Sequence, residues 1–225
     1  AGMIAPVPAA YFHLPFGEND NMHFGLSLTA PFGFKTDYDK NWVGRYSGVT
    51  TDLKAIDLGA AFSYDVNPYV SFGASVFVEH LTIELSNALD MGAVVNGAAQ
   101  QKAAAAAAAA GRTPAQIAAA AAAAGQQAAL GGFFPGSADG FVTIKGDNNA
   151  VGYVLGTTLS PTEDTNIAFS YRSKVEHKIT GGKANFTVPQ NVSVALGQPG
   201  SGLFVDTSGK ATVTLPASVS MSVTH

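Results

Sequence analysis

Thr212-Val213-Thr214-Leu215-Pro216-Ala217-Ser218-Val219-Ser220-Met221-Ser222-Val223-Thr224 changes character at every position. Val213, Leu215, Ala217, Val219, Met221 and Val223 fall on one side of an extended chain, and the hydroxyl residues with Pro216 fall on the other. A period of two predicts a β-strand with unlike environments on its two faces. The polar face carries small hydroxyls and no Lys, Glu or Arg. Such a strand suits lipid on one side and a crowded, watery interior on the other.

The same pattern recurs upstream. Met22, Phe24, Leu26, Leu28 and Ala30 oppose His23, Gly25, Ser27 and Thr29, and even positions from Ile56 to Val66 oppose odd ones from Asp57 to Asp65. Val70 to Val78 alternates likewise, as does Ile167 to Val175. Even positions of 56–66 are expected to face lipid and odd ones the interior. Charged residues make up only 12% of the chain, against roughly 25% in a soluble domain. No uncharged apolar run reaches the roughly 18 residues of a spanning helix, so a membrane-crossing form of this chain is a barrel of strands. The net charge of −4 gives no footprint for nucleic acid. The chain begins with Ala and shows no signal peptide, which reads as an internal piece of a longer secreted precursor.

Seven strands are expected, near 8–15, 22–31, 53–66, 69–84, 141–160, 165–188 and 212–225, forming an antiparallel meander with the first and last as free edges. Short polar turns at Val66-Asn67-Pro68 and Ser160–Asp164 alternate with long connections at 32–53, 85–140 and 189–211. That asymmetry is the habit of outer-membrane barrels. The stretch 165–188 would rise roughly 75 Å at about 3.3 Å per residue, so part of it projects above the membrane. Its apolar face changes parity between Tyr171 and Ala184, which places a β-bulge at Gly181-Gly182. The insert 97–132 reads as a helical hairpin: Ala103–Ala110 closed by Gly111, then Thr113 capping a helix that starts at Pro114 and ends near Gly125. It is either a tolerated surface insertion or a smooth apolar wall for a ligand.

No metal site is assigned, because the five histidines stand apart from one another and from carboxylates at ligand spacings. No nucleophile elbow or phosphate loop occurs, so neither an enzyme nor a cofactor is expected. Gly197–Gly202 reads as a flexible loop. Asp57, Asp65, Glu79, Arg172 and Lys174 are expected to line the interior in contact with water. Leu89, Met91, Leu130, Phe133, Phe134, Leu203 and Phe204 are large apolar residues in loops otherwise rich in Gly, Ala and Ser. They either enclose a hydrophobic ligand between loops 85–140 and 189–211 or simply pack the loops together.

Ala30-Pro31-Phe32-Gly33-Phe34, Trp42-Val43-Gly44-Arg45-Tyr46, Thr51-Asp52-Leu53, Ser71-Phe72-Gly73, Lys145-Gly146-Asp147, Tyr171–Val175 and Leu215-Pro216 occur in an order that resembles the FadL-type outer-membrane transporters (OMPP1/FadL/TodX family) of long-chain fatty acids and aromatic hydrocarbons. The resemblance covers the chain outside the Ala-rich insert. It implies about half of a fourteen-stranded barrel in the bacterial outer membrane, surrounded by membrane lipid and lipopolysaccharide. It also implies partners within the same protein, an N-terminal hatch and the remaining strands. Two long loops, here 85–140 and 189–211, would form a hydrophobic groove. A kink in the strand at 22–31, near Pro31 and Gly33, would open the wall, and passage would be gated diffusion. The enterobacterial fatty-acid members are expected to place a basic residue where Ile83-Glu84-Leu85-Ser86-Asn87 has none, which leaves neutral hydrocarbons or another lipid open as cargo. The alternative function on this architecture is an outer-membrane structural or adhesion barrel whose loops bind a partner.

Overall fold

A computed structural model of the chain describes residues 7–197 and 203–225; most of the Gly197–Gly202 stretch lies outside them. The strands are β1 (Ala9–Phe16), β2 (Met22–Asp37), β3 (Thr50–Asn67), β4 (Val70–Asp90), β5 (Asp139–Thr162), β6 (Thr165–Arg172), β7 (Val175–Thr187), β8 (Thr207–Leu215) and β9 (Ser218–Thr224). Every described pairing is antiparallel: β1 to β6 pair in succession, β7 pairs with β5 and β8, and β9 pairs with β6. Among the described residues β1 pairs only with β2, and neither β8 nor β9 pairs back to it. The sheet is therefore open.

Two of the seven expected strands are each divided. The 165–188 stretch breaks at Ser173-Lys174 into β6 and β7, and the 212–225 stretch breaks at Pro216-Ala217 into β8 and β9. β6 pairs with β5 from Val154 to Thr162, and β7 pairs with it only from Phe141 to Lys145. Between those zones β7 leaves the edge of β5 and tucks inward, burying Val175, His177 and Ile179. Pro216 lacks the N–H that a continuous ladder needs, so the neighbouring strand breaks at a similar level.

Alternation sets the two faces. Along β3, Ile56, Leu58, Phe62, Tyr64 and Val66 are exposed, whereas Ala55 and Asp57 are buried. Cross-strand partners Leu28, Leu58, Val78 and Val151 share the outward face, because directly opposed residues point the same way. From Ile56 to Val66 the apolar run rises roughly 33 Å along the strand, or roughly 25 Å after a barrel's tilt, the height of an outer-membrane apolar band. Above it the outward face turns polar. His80 bonds Asn149 at 2.7 Å, and Lys54–Asp52 and Lys145–Glu84 pair at 2.9 and 3.0 Å.

A bulge opposes Ala30 and Pro31 to Ile56 alone, between the Thr29–Asp57 and Phe32–Ala55 pairs. It switches the face of β2, so Phe32 turns inward against the cluster of Ala55, Phe77, Leu81, Val175 and Leu215. The bulge at Gly181-Gly182 is also present, as a register shift between the Ile179–Ala211 and Gly182–Gly209 pairs. It does not return the apolar residues to the outward face. The earlier break at Ser173-Lys174 shifts parity once and the bulge shifts it back, leaving Ala184 and Phe186 inward, beside Ile144 and Val142.

The insert is a helical hairpin of α1 (Met91–Ala109) and α2 (Pro114–Leu130). Both limits differ from the expected ones. α1 starts at Met91 because Asp90 caps it, Oδ1 accepting from Ala93 N at 2.8 Å. α2 runs past Gly125, which is a close-contact residue: a Cβ there would meet Gln100 Nε2 at 2.7 Å. Thr113 and Gln116 form the capping box of α2.

Candidate functional site

The two long loops meet. The second contains a short helix, α3 (Gln190–Ala195), which brings Val192 against Met91 and Val95 of α1; all three are buried. Leu89, Val94, Phe133, Ala138, Val188, Leu196 and Phe204 pack around them. Beside this cluster lies a cleft of about 250 Å³ lined by Phe186, Val188, Ser193, Leu196, Leu203, Phe204 and Val205. Five of the seven residues named for the groove therefore fall in or beside one apolar assembly: Leu89, Met91, Phe133, Leu203 and Phe204. Leu130 and Phe134 do not join it. Leu130 is 84% exposed at the end of α2 and Phe134 is 51% exposed. Val95, Val192 and Phe186 belong to the assembly and were hidden in the sequence, since no loop propensity marks α3 and the parity of Phe186 depends on two cancelling shifts.

The base of the first loop is clasped by the β2–β3 connection. Arg45 Nε donates to Asp139 Oδ2 at 2.6 Å and Tyr46 Oη donates to Asp139 Oδ1 at 2.7 Å. The Ala88 N–H donates to the Arg45 carbonyl at 2.9 Å. Asp139 raises the pKa of the Arg45 guanidinium above its ordinary value by hydrogen bonding. Burial, reinforced by the bond to Asp139, pushes the Tyr46 phenol up. Asp90 ties the same base together, its second oxygen accepting from Gly136 N at 2.8 Å.

Below the loops the inner face carries a buried charge cluster. Arg172 Nη2 donates to Asp57 Oδ2 at 2.7 Å and to Glu79 Oε2 at 2.8 Å, and His177 Nε2 lies 2.8 Å from Glu79 Oε1. Glu79 and His177 are fully buried. Arg172 reaches across β5 because Gly152 lets the Phe77 ring lie flat: a Cβ at 152 would come within 2.3 Å of that ring. The guanidinium then stacks 3.9 Å above the ring centroid. Asp57 Oδ1 and His177 Nδ1 have no hydrogen-bond partner among the described residues.

Asp57, Glu79 and Arg172 are thus brought together, with His177 as the member that the sequence did not reveal. Asp65 stands apart, nearer the short-turn end, 3.1 Å from His23, which in turn lies 3.1 Å from His13. The histidines are isolated in sequence but not in space. Lys174 is corrected: it is exposed and alternates with buried Ser173 and Val175, so it points away from the cluster. Beneath the cluster a concavity of about 410 Å³ is lined mainly by small or apolar residues, among them Gly25, Ala61, Ser63, Gly73, Ser75 and Gly156. No group of three or more His, Cys, Asp or Glu is placed to hold a metal among the described residues.

An open antiparallel sheet with an apolar outward band, polar strand extensions and long loops gathered at one end defines a portion of an outer-membrane β-barrel. The model of the family described as outer membrane protein transport protein (OMPP1/FadL/TodX) matches residues 1–225, and the chain belongs to that family. The long-chain fatty acid transport protein of Escherichia coli K12 is 32% identical over 101 residues, covering 43% of this chain and 22% of that protein. Outer membrane protein P1 of Haemophilus influenzae is 36% identical over 70 residues, covering 31% of this chain and 15% of that protein. A Pseudomonas aeruginosa FadL homologue shares the fold with a TM-score of 0.68 at 24% identity, over 96% of this chain and 44% of that one. The Pseudomonas putida toluene transporter TodX gives 0.52 at 16% identity, over 96% and 50%. The chain therefore spans at most about half the length of these relatives.

Proposed function

We propose that this chain builds the entrance and upper passage of an outer-membrane route for hydrophobic compounds, long-chain fatty acids or hydrocarbons, which move by gated passive diffusion. The observation that carries this reading is the single apolar assembly made by both long loops around Met91, Val95 and Val192. Apolar side chains from two separate loops, next to an open cleft, suit capture of a greasy molecule from water. From there the route runs down the inner face past Phe77 and the Asp57–Arg172–Glu79–His177 cluster into the concavity lined by Gly25, Ala61 and Gly73. The bulge at Ala30-Pro31 interrupts the β2–β3 ladder at the level of Asp57, which suits sideways exit into the membrane. Outside, the apolar band meets lipid, and the polar rows above it meet the headgroups of the outer leaflet and lipopolysaccharide.

The test is uptake by a strain lacking the gene and complemented with the complete protein, its Phe133→Ser variant or its Phe134→Ser variant. Phe133→Ser is expected to lower uptake of hydrophobic compounds several-fold at unchanged barrel yield, with Phe134→Ser close to the parent. Deletion without effect on uptake of fatty acids or hydrocarbons would overturn the reading in favour of an adhesion barrel.

A further inference from the structure

We infer that the path built by this chain admits neutral hydrophobic molecules in preference to carboxylates, an inference that rests on the transport reading above. The charges placed along the path carry it.

At the loop assembly the ionisable neighbours of the apolar residues are acids. Asp90 lies between Leu89 and Met91 in the chain, Asp139 follows Ala138, and Asp206 lies two residues beyond Phe204. Asp206 is held in place, accepting from Asn185 Nδ2 at 2.9 Å and Phe186 N at 2.8 Å. The one guanidinium at the base, Arg45, is already engaged by Asp139. No charged residue lines the cleft beside Leu203 and Phe204 among the described residues. A carboxylate entering the cleft meets no charged lining residue among the described residues and three fixed carboxylates near its route.

The buried charge cluster of the inner face repeats that arrangement in a drier setting. Arg172 is the cation of the inner face at this level, and Asp57 and Glu79 both occupy its Nη2. Its ring-facing side is covered by Phe77. The groups facing this cluster are Asp57 from β3, Glu79 from β4, Arg172 from β6 and His177 from β7; β5 contributes Ala150 and Gly152 at this level, and β8 contributes Val213 opposite His177. A third carboxylate would lie against two others and would have to displace one from Arg172, since like charges in a water-poor site repel strongly. A neutral molecule of the same length meets no such repulsion. Three lysines at this end face away from the path. Lys54 and Lys145 pair with acids on the outward face, and Lys183 opposes Lys145 there.

A matched pair of probes tests the inference: dodecanoate and 1-dodecanol, which share a tail and differ in charge at pH 7.5. Initial uptake is measured in a strain lacking the gene and complemented with the complete protein, with the empty-vector rate subtracted. The parent protein is expected to favour dodecanol by about tenfold, the ratio that one unfavourable charge contact gives. The double substitution Asp57→Asn/Glu79→Gln frees Arg172 without changing side-chain size and is expected to shift the ratio toward dodecanoate. Folding of the variant is checked by heat-modifiable electrophoretic mobility; the parent ratio decides alone if the variant does not fold. Equal or faster entry of dodecanoate through the parent overturns the inference and leaves transport standing. Entry of neither probe above background overturns the transport reading as well.

Discussion

Arg172 is the residue on which the inner face turns. Its guanidinium is only 19% exposed and holds two carboxylates that are almost fully buried. Replacing it with Met keeps the bulk over Phe77 but leaves Asp57 and Glu79 buried without their cation, a change that costs about 3–5 kcal/mol. Arg172→Met is therefore expected to lower the temperature at which the complete barrel loses its folded electrophoretic mobility. Adding Asp57→Asn and Glu79→Gln is expected to restore most of the loss, because no unpaired charge then remains. An unchanged transition in Arg172→Met would show that these groups are solvated and not a buried network. The cluster was half legible in the sequence. Asp57, Glu79 and Arg172 announce themselves as charges in otherwise apolar or small-residue strands. His177 does not, since its partner is 98 residues away and its inward orientation follows from a strand break that alternation conceals.

At the level of elements, the clasp from the β2–β3 connection sets the geometry of the groove. Arg45 and Tyr46 hold Asp139 at the first residue of β5, opposite Asp90, the residue that caps α1. Arg45→Ala is expected to leave the strands intact and to speed amide hydrogen exchange in 85–96 and 133–140, where the loop base is released. Exchange unchanged in both segments would contradict the clasp. The Tyr46 hydroxyl contributes only while protonated. Since its folded pKa is raised, that contribution is complete below the ordinary tyrosine value of about 10 and is lost as pH rises through the higher folded value. The strands themselves were plain in the sequence because period-two alternation is a direct image of a two-faced sheet. Their breaks were not. Thr214-Leu215-Pro216-Ala217-Ser218 alternates without interruption, yet β8 ends at Leu215 and β9 begins at Ser218. Alternation records that a segment has two faces and is silent on which of them points outward: Val213 and Leu215 pack inward beside His177 and Val175, whereas Val219, Met221 and Val223 are exposed on the outward face. Helix limits failed for a related reason: Gly125 carries the mark of a terminator but serves as a contact point for Gln100.

Across the whole molecule, the sheet separates two environments. Outward, Leu58, Val76, Val151 and Met221 are all more than half exposed, as suits side chains meant for lipid. Inward, loops, charge cluster and concavity follow one another down a single face. The central claim is that hydrophobic cargo travels along that inner face, beginning at the assembly of α1, α3 and Phe204. The most direct measurement is photolabelling of the complete protein, in outer membranes, with a neutral alkyl diazirine, followed by mass-spectrometric mapping of adducts that excess unlabelled 1-dodecanol suppresses. Suppressible adducts are expected at Leu196, Leu203 and Phe204, which line the cleft, and along the inner face at Val154, which lines the concavity, with outward residues such as Leu58 and Val76 labelled non-suppressibly by partition into lipid. Suppressible adducts confined to the outward face, or to the exposed alanines of 103–124, would contradict it.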